Sequence, residues 1–240
     1  MVIVKNWREV QPNIAHLSAV HWGGLRRSEQ PNDPDERNCL QRLDGFARHA
    51  LQGRKTSDHH RHESLEQVYY LLSGGGEVLF EEKRFAVREG DAVYLPSGIH
   101  HQMFNDMNEA WLEHHVISMK VAGNGGSLLI RNWRQAPPVR DSGGAVRWRQ
   151  LGREGEPEVG CLRGMASIEC EAVPPGGRTS ERSLPDLEQV YYVLENRGLL
   201  LAEGEERPIS EGDMIHLPPG TQYQLRNPHA TWLRCLIMAA

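Results

Sequence analysis

Cysteine pairs, long apolar runs and an excess of basic charge are all missing from this 240-residue sequence. Its four cysteines are scattered and form no C-x-x-C pair, which argues against a zinc–thiolate site or a thiol redox motif. Such spacing is typical of reduced, structural cysteines, so we expect a cytoplasmic protein. No apolar run approaches the ~20 residues that a membrane span requires.

The charge balance and the first residues exclude further classes of protein. A formal net charge of −5 and a pI near 6.2 argue against nucleic acid or an anionic membrane as a partner. Met1–Trp7 lacks the basic segment, apolar run and small-residue cleavage site of a signal peptide. With 25% charged and 39% hydrophobic residues, the composition is typical of a soluble globular protein.

What the sequence does contain is an internal repeat. Val4–Arg8 recurs as Ile130–Arg134, 126 positions later. Leu65–Tyr70 recurs without change as Leu187–Tyr192, 122 positions later. A repeat of this length indicates duplicated domains rather than a solenoid, so we expect two copies of one folding unit.

The repeat also predicts where loops and boundaries lie. Its offset changes by four residues between Trp22 and Cys39, where Ser28–Asp35 is rich in turn-forming residues and length varies at little cost. A glycine- and asparagine-rich stretch after residue 121 separates the copies. We therefore expect domains at residues 1–121 and 128–240, each large enough to bury its own core.

Within each unit, short β-rich runs alternate with turns. Gln67–Leu72 is followed by the turn Ser73–Gly76 and then by a second run, Glu77–Glu82. Many short strands at regular spacing, separated by Gly and Pro turns, indicate a sandwich or barrel. The predicted fold class is all-β.

A histidine-rich segment gives the strongest chemical signal. His60 and His62 are two residues apart, so in an extended chain they share a face, and Glu66 keeps their parity. Downstream, the chain turns at Pro96–Gly98 and presents His101 on a new extended run. Imidazole and carboxylate ligands suit Fe, Mn, Ni, Co or Zn, and three or four of them can leave a coordination position open. The two segments therefore predict a metal site.

The same segments resemble the two motifs of the cupin superfamily, G-x5-H-x-H-x3,4-E-x6-G and G-x5-P-x-G-x2-H-x3-N. The second motif matches at Gly90, Pro96, Gly98, His101 and Asn105. The first matches at His60, His62 and Glu66. Two positions depart from it: Gly53 lies one residue too far ahead, and the closing glycine, Gly74, falls one residue late. Taking His59 as the first ligand would satisfy Gly53 but would place Arg61 where the second histidine belongs.

The resemblance implies two tandem double-stranded β-helix (jelly-roll) barrels, the architecture of a bicupin. It also implies one divalent transition metal per chain, either Fe, Mn, Ni or Zn. The implied metal ligands are His60, His62, Glu66 and His101. His59 and His100 are sequence neighbours of two of these, so they are expected to point to the opposite face.

The second copy keeps the turn residues of both motifs but loses the ligands. Arg182, Leu184 and Tyr223 stand where the first copy has His60, His62 and His101. Only Glu66 keeps its type, as Glu188. We therefore expect a degenerate, metal-free barrel. It would either cover the first barrel and help to form a homodimer, or bind an organic ligand in a pocket lined by Arg182, Glu188 and Tyr223.

Several residues near the motifs are candidates to line the first barrel around the metal, although each would otherwise pack in the core. The apolar and aromatic candidates are Phe46, Tyr69, Tyr94 and Met103. His114 and His115 lie on one strand, so only one can face inward, where it would act as a general base or support a metal ligand. Arg48 and His49 pose the same choice, and an inward Arg48 would suit a carboxylate substrate.

Three classes of function remain. We favour a metal-dependent enzyme of the cupin dioxygenase type that acts on a small chelating organic substrate. The same centre could instead serve as a Lewis acid for isomerisation, elimination or hydrolysis. The second class is a barrel that binds a small ligand without catalysis. The third is a storage protein, which the short chain, the full ligand set and the lack of low-complexity insertions disfavour. The fold alone does not decide among them.

Overall fold

The computed structural model describes residues 1–28, 30 and 33–240. Over this part of the chain the regular structure is almost entirely β-strand, with short 3₁₀ turns at Trp7–Glu9 and Trp133–Gln135. The all-β prediction is confirmed, and no helix here is long and apolar enough to cross a membrane. Three residues of the predicted loop Ser28–Asp35 lie outside the described residues: Glu29, Pro31 and Asn32.

The strands of the second half repeat those of the first. In the first half they are β1 (Ile3–Asn6), β2 (Asn13–Ala15), β3 (Ala19–Arg26), β4 (Gly45–Leu51), β5 (Lys55–Thr56), β6 (Leu65–Ser73), β7 (Gly75–Phe80), β8 (Lys83–Arg88), β9 (Asp91–Leu95), β10 (His101–Asn105) and β11 (Leu112–Lys120). In the second half they are β12 (Leu129–Asn132), β13 (Pro138–Arg140), β14 (Val146–Arg153), β15 (Gly160–Leu162), β16 (Ser167–Val173), β17 (Gln189–Glu195), β18 (Arg197–Ala202), β19 (Glu205–Ser210), β20 (Asp213–Leu217), β21 (Tyr223–Arg226) and β22 (Leu233–Ala239).

Each half forms a barrel from one large and one small sheet. The first barrel pairs its strands in the orders β12-β9-β6-β11-β4-β3-β2 and β5-β10-β7-β8. The second barrel uses β1-β20-β17-β22-β16-β14-β13, with β15 beside β14, and β19-β18-β21. Side chains from both sheets meet inside each barrel, as Val78 and Met103 of the small sheet do with Leu71 of the large one. This is the predicted pair of tandem jelly-roll barrels.

Strand β6 is buried on both faces. Tyr69 and Leu71 pack inside the first barrel, whereas Val68 and Tyr70 pack against the second barrel. Successive side chains of a strand point to opposite faces, so β6 contributes to two cores at once. We call the set between the barrels the interdomain core; from the first barrel it includes Phe46, Val68, Tyr70, Tyr94 and Ile117, and from the second Leu151, Ile168, Val190, Tyr192 and Met238.

The two barrels exchange their first strands. β1 pairs antiparallel with β20 of the second barrel, with Ile3 opposite His216. β12 pairs in the same way with β9 of the first barrel, with Leu129 opposite Tyr94. The predicted domain ranges, 1–121 and 128–240, therefore need one correction, because the opening strand of each range belongs to the sheet of the other.

The four-residue difference between the copies lies where the repeat predicts it. Arg27 forms a parallel bridge with Leu40, and the equivalent Arg153 pairs with Leu162. The first copy has four more residues than the second between these two bridges. The bridges keep the repeated strands in register on both sides, so the loop absorbs the extra length.

Candidate metal centre

Two chain segments of the first barrel meet side by side. His60 and His62 lie in the loop before β6, and His101 is the first residue of β10. The backbone N–H of each of His60 and His101 donates to the carbonyl of the other, at 3.2 and 2.9 Å. The N–H of Gly98 also donates to the carbonyl of His62, at 2.8 Å. These bonds fix the two histidine segments side by side.

The three predicted histidine ligands converge. One ring nitrogen of each of His60, His62 and His101 lies within 4.8 Å of the others. All three Nε2 atoms are buried and have no hydrogen-bond partner among the described residues. Buried polar atoms are normally paired, so three unpartnered nitrogens that converge on one point fit a bound cation. A divalent transition metal fits this donor set.

Hydrogen bonds fix which nitrogen His60 and His101 offer. His60 Nδ1 donates to the Asp58 carbonyl at 3.2 Å, and His101 Nδ1 donates to the Ile99 carbonyl at 3.1 Å. A proton held on Nδ1 leaves the Nε2 lone pair free for a metal. Burial, assisted by the charge of His60, lowers the pKa of His101 to about 3, and the same two causes lower the pKa of His62. The imidazoles of His62 and His101 are therefore neutral at physiological pH.

The structure does not bring Glu66 to this cluster. Its fully buried carboxylate instead accepts three backbone N–H bonds from the second barrel, at 2.8 to 2.9 Å. The donors are Arg163, Gly164 and Met165. The sequence argument assumed an extended chain from His62 to Glu66, but Ser64 has a φ of 54° and turns the chain. This turn reverses the alternation of side-chain directions after Ser64, so Glu66 faces the interdomain core rather than the histidines.

Glu188 occupies the same position in the second copy. Its carboxylate accepts N–H bonds at 2.6 to 2.9 Å from a loop of the first barrel, and His216 Nε2 lies 2.8 Å from it. The loop donors are Gln41, Arg42 and Leu43. Each glutamate therefore binds a loop of the opposite barrel, which explains why this residue type remains in a copy without the histidines. Glu188 does not line a pocket with Arg182 and Tyr223.

Three of the six predicted pocket residues face the barrel interior: Tyr69, Met103 and His114. Tyr69 and Met103 belong to its core, and the rings of Tyr69 and His114 lie 4.8 Å apart. Phe46 and Tyr94 belong instead to the interdomain core. The Tyr94 hydroxyl donates to Glu66 Oε2 at 3.3 Å, which leaves it away from the histidines.

Arg48 also faces away from the barrel interior. Its guanidinium donates to Glu113 Oε2 at 2.6 Å and to the Tyr192 hydroxyl at 3.0 Å. It also lies 4.2 Å over the ring of Trp7. Of the two alternatives for Arg48 and His49, the structure therefore places His49 inward, and the first barrel does not gain a carboxylate-binding guanidinium from Arg48.

Of the two adjacent histidines on β11, only His114 faces inward, as alternation predicts. His115 packs in the interdomain region, 4.2 Å from the ring of Tyr192, and its Nδ1 donates to the Ala47 carbonyl at 3.1 Å. His49 likewise faces inward, with its ring 5.4 Å from that of His114. Burial lowers the pKa of His114 to about 3, so it is a neutral imidazole inside the barrel.

Sequence reasoning missed three further residues around the cluster. His21 lies opposite His49 across β3 and β4, and the two rings approach at 2.7 Å, Nδ1 to Nε2. His16 stacks on His60 at 4.7 Å, and both Nδ1 atoms face the Asp58 carboxylate, at 3.0 and 3.3 Å. His21 and His49 lie directly opposite each other on neighbouring strands, so a correct strand pairing would have predicted their contact. No local pattern marks His16 or Asp58.

In the second barrel an ion network stands where the first has histidines. Arg182 Nη2 lies 2.6 Å from Asp141 and 2.7 Å from Glu171, and Arg147 Nε donates to Glu171 at 2.7 Å. The hydroxyl groups of Tyr191 and Tyr223 lie 2.9 Å apart beside this network. Arg182 thus supplies a fixed, paired cation at the position of His60.

Solved structures share this architecture at low sequence identity. A glyoxylate-induced protein of Pseudomonas aeruginosa matches with a TM-score of 0.79 and 14% identity, over 99% of this chain and 87% of its own. A pirin of Escherichia coli, solved with nickel(II), matches with a TM-score of 0.74 and 14% identity, over 100% and 98%. Oxalate decarboxylase of Bacillus subtilis matches with a TM-score of 0.72 and 11% identity, over 99% and 76%.

The sequence matches cover less of the chain than the structural matches do. An uncharacterized protein of Methanocaldococcus jannaschii, MJ1618, is 36% identical over 55 residues, which span 23% of this chain and 44% of that protein. The cupin-domain family model matches twice, at residues 48–116 and 170–238, and the two matches cover more than half of the chain. The chain therefore belongs to the cupin family, as a protein with two cupin domains.

Proposed function

We propose that this chain is a metal-dependent enzyme that holds one divalent transition metal in its first barrel and acts there on a small chelating substrate. The observation that carries the proposal is the convergence of three buried, unpartnered Nε2 atoms, from His60, His62 and His101. Fe, Mn, Ni and Zn all accept such nitrogen donors. The favoured reaction is oxygen-dependent, of the cupin dioxygenase type.

The residues of the first barrel suit this chemistry. Such a metal, when bound, supplies a Lewis acid, and a redox-active one can also activate O2. The Asp58 and Ile99 carbonyls fix the tautomers of His60 and His101. The ring of Tyr69 lies 6.0 Å from that of His101, and Tyr69 packs with Met103 in the core of the barrel. Similarity to a pirin solved with nickel(II) and to oxalate decarboxylase supports a metal-dependent function within this fold.

A second candidate function is non-oxidative proton transfer, such as isomerisation or elimination. It is favoured by the 2.7 Å contact between His21 and His49 inside the barrel. Burial, followed by the charge of His114, lowers the pKa of His49, and burial also lowers that of His21, so both rings are neutral and one donates its N–H to the other. Such a ring-to-ring hydrogen bond is a path along which a proton can be relayed. A Zn(II) protein could carry out such a reaction without O2.

Metal content tests the site itself. The purified chain should contain about one metal per chain, measured by elemental analysis, and His60→Ala/His62→Ala should lose it. A matched control is His59→Ala/His100→Ala, which removes two exposed histidines that stack 4.7 Å apart outside the site. Full metal content in the first double variant would contradict the proposal.

Metal exchange tests the reaction. The metal-free chain is reconstituted with Fe(II), Mn(II), Ni(II) or Zn(II) and screened with diketones, catechols and hydroxy acids. Oxygen uptake only with a redox-active metal supports the dioxygenase. Equal turnover with Zn(II) in the absence of O2 refutes it and favours proton transfer. Tight binding of one compound without turnover would instead indicate a ligand-binding protein.

A further inference from the structure

We propose that Gln67, through its amide oxygen, is the fourth protein ligand of the first-barrel metal, in the place that the sequence motif assigned to Glu66. This inference rests on the proposed metal site at His60, His62 and His101. With Gln67 in place of a glutamate, the set of protein ligands is electrically neutral. A neutral set favours anionic substrates or inhibitors at the metal.

The placement of Gln67 on β6 is the first argument. Glu66 faces the second barrel, so its neighbour faces the interior of the first, on the same side as Tyr69 and Leu71. The ring of Tyr69 lies 6.0 Å from that of His101, so this side of β6 adjoins the histidine cluster. Gln67 is only 7% exposed.

The amide oxygen of Gln67 also lacks a partner. Its Oε1 is buried and accepts no hydrogen bond from any described residue, as is true of the three Nε2 atoms. A buried amide oxygen without a donor is costly, and an amide oxygen can coordinate a divalent metal. One bound cation would satisfy all four orphaned atoms.

The second barrel shows where a side chain at this position reaches. Gln189 is the counterpart of Gln67, and Tyr223 is the counterpart of His101. The Tyr223 hydroxyl donates to Gln189 Oε1 at 2.7 Å. In the metal-free copy, the amide oxygen of the glutamine thus meets the residue that replaces a histidine ligand. The same placement in the first barrel directs Gln67 Oε1 to the metal position.

The motif spacing agrees with Gln67. Four residues separate it from His62, which the motif allows, and Gly74 then follows at the required interval of six. Gly74 has a φ of 74°, and a Cβ there would lie 2.4 Å from the Trp111 carbonyl, so this position requires glycine. Gly74 is one residue late for the motif when Glu66 is the ligand. With Gln67 as the ligand, it falls at the position that the motif requires.

A neutral donor set leaves the full charge of the metal uncompensated. Three imidazoles and one amide carry no charge, and the Asp58 carboxylate lies outside this donor set, 3.0 and 3.3 Å from the Nδ1 atoms of His16 and His60. Among the described residues no carboxylate belongs to the donor set, so an exchangeable anion would compensate charge at the metal itself. We infer that the site prefers anionic chelators, such as deprotonated hydroxy-carbonyl compounds, to neutral ones.

Metal affinity and a Co(II) absorption spectrum test the assignment. Gln67→Ala and the apolar, similarly sized Gln67→Leu should bind Co(II) at least about tenfold more weakly, with a changed visible spectrum. Glu66→Gln should keep the affinity and spectrum of the wild type. Thermal unfolding of the metal-free variants checks that each one is folded.

Gln67→Glu tests the charge argument separately. It should still bind Co(II), but its affinity for azide, measured by titration of the same spectrum, should fall about tenfold. Wild-type affinity and spectrum in both Gln67→Ala and Gln67→Leu would overturn the assignment and leave the three-histidine site intact. No Co(II) binding by the wild type would overturn the proposed metal site and this inference with it.

Discussion

At the scale of single residues, two buried glutamates connect the barrels. Glu66 and Glu188 are fully buried, and each accepts three backbone N–H groups from the opposite barrel. These bonds favour the ionised form, so they help to lower the pKa of Glu188 against the opposing effect of burial, with His216 acting in the same direction. Each carboxylate is thus held by the backbone N–H groups of one loop.

Glu66→Ala should destabilise the fold without reducing metal content. It leaves three N–H groups unsatisfied, that of Met165 buried and those of Arg163 and Gly164 partly buried. At about 1 kcal/mol each, we expect a loss of about 3 kcal/mol in the free energy of unfolding. Chemical denaturation measures the loss and elemental analysis the metal. Glu63→Ala, at an exposed position nearby, is the control. Loss of metal with unchanged stability would contradict the structural role.

The buried histidines predict how stability depends on pH. Burial holds the pKa of His114 at about 3, against about 6.5 in the unfolded chain. Below pH 6.5 the unfolded chain binds a proton that the folded chain does not, so stability falls as the pH falls toward 3. His114 alone contributes a loss of about 2 kcal/mol between pH 6.5 and 5.

Replacing His114 tests this dependence. His114→Leu should flatten the fall in the free energy of unfolding between pH 6.5 and 5 by about 2 kcal/mol, measured by denaturation of the metal-free protein. His100→Leu, at an exposed position, should leave the slope unchanged. A slope in His114→Leu equal to that of the wild type would exclude His114 as a cause.

The limits of prediction are clearest at these residues. Motif spacing identified His60, His62 and His101, because turns at Pro96–Gly98 and the extended run after it depend on local sequence. Glu66 was misplaced because one left-handed residue, Ser64, shifts the parity of everything after it. Nothing in the local pattern of hydrophobicity reveals such a shift, since both faces of β6 are buried.

At the scale of elements, the exchanged strand β1 is the least expected feature. Local sequence predicts a strand but not its partner, and β1 pairs with β20, more than 200 residues away. The same limit applies to Phe46 and Tyr94: burial was predictable, but a buried strand with two apolar faces does not show which core each face joins. The jelly-roll topology followed from the family resemblance and from turn spacing.

A proline in β1 should weaken the second barrel. Trp7 N–H donates to the Gly212 carbonyl, and by alternation along the pair the N–H of Lys5 donates to Met214. Lys5→Pro removes that donor, so it should cost about 2 kcal/mol more than Lys5→Ala, which loses the same ion pair with Glu36. Hydrogen exchange should rise in β20. Equal stability of the two variants would contradict the exchanged pairing.

At the scale of the whole molecule, the barrels form one unit with shared parts. Each supplies a strand and a glutamate to the other, and the interdomain core draws on both. The homodimer, the cytoplasmic location and the absence of a nucleic-acid or membrane partner that the sequence suggests stay predictions.

Cutting the chain should therefore give two halves that need each other. Fragments 1–125 and 126–240, produced separately, should be poorly folded alone and should form a 1:1 complex when mixed, measured by circular dichroism and light scattering. Metal should bind tightly only to the complex. A stable, metal-binding fragment 1–125 that stays monomeric would contradict this interdependence.

The exchange of first strands has a consequence for how such a chain can change over generations. A stop codon in the linker would remove β12 from the sheet of the metal-binding barrel and leave Glu66 without its loop. Substitutions inside the second barrel, such as Arg182 for a histidine, leave both contributions in place. A change inside the second half can thus spare the metal-binding barrel, whereas loss of the second half would disrupt it.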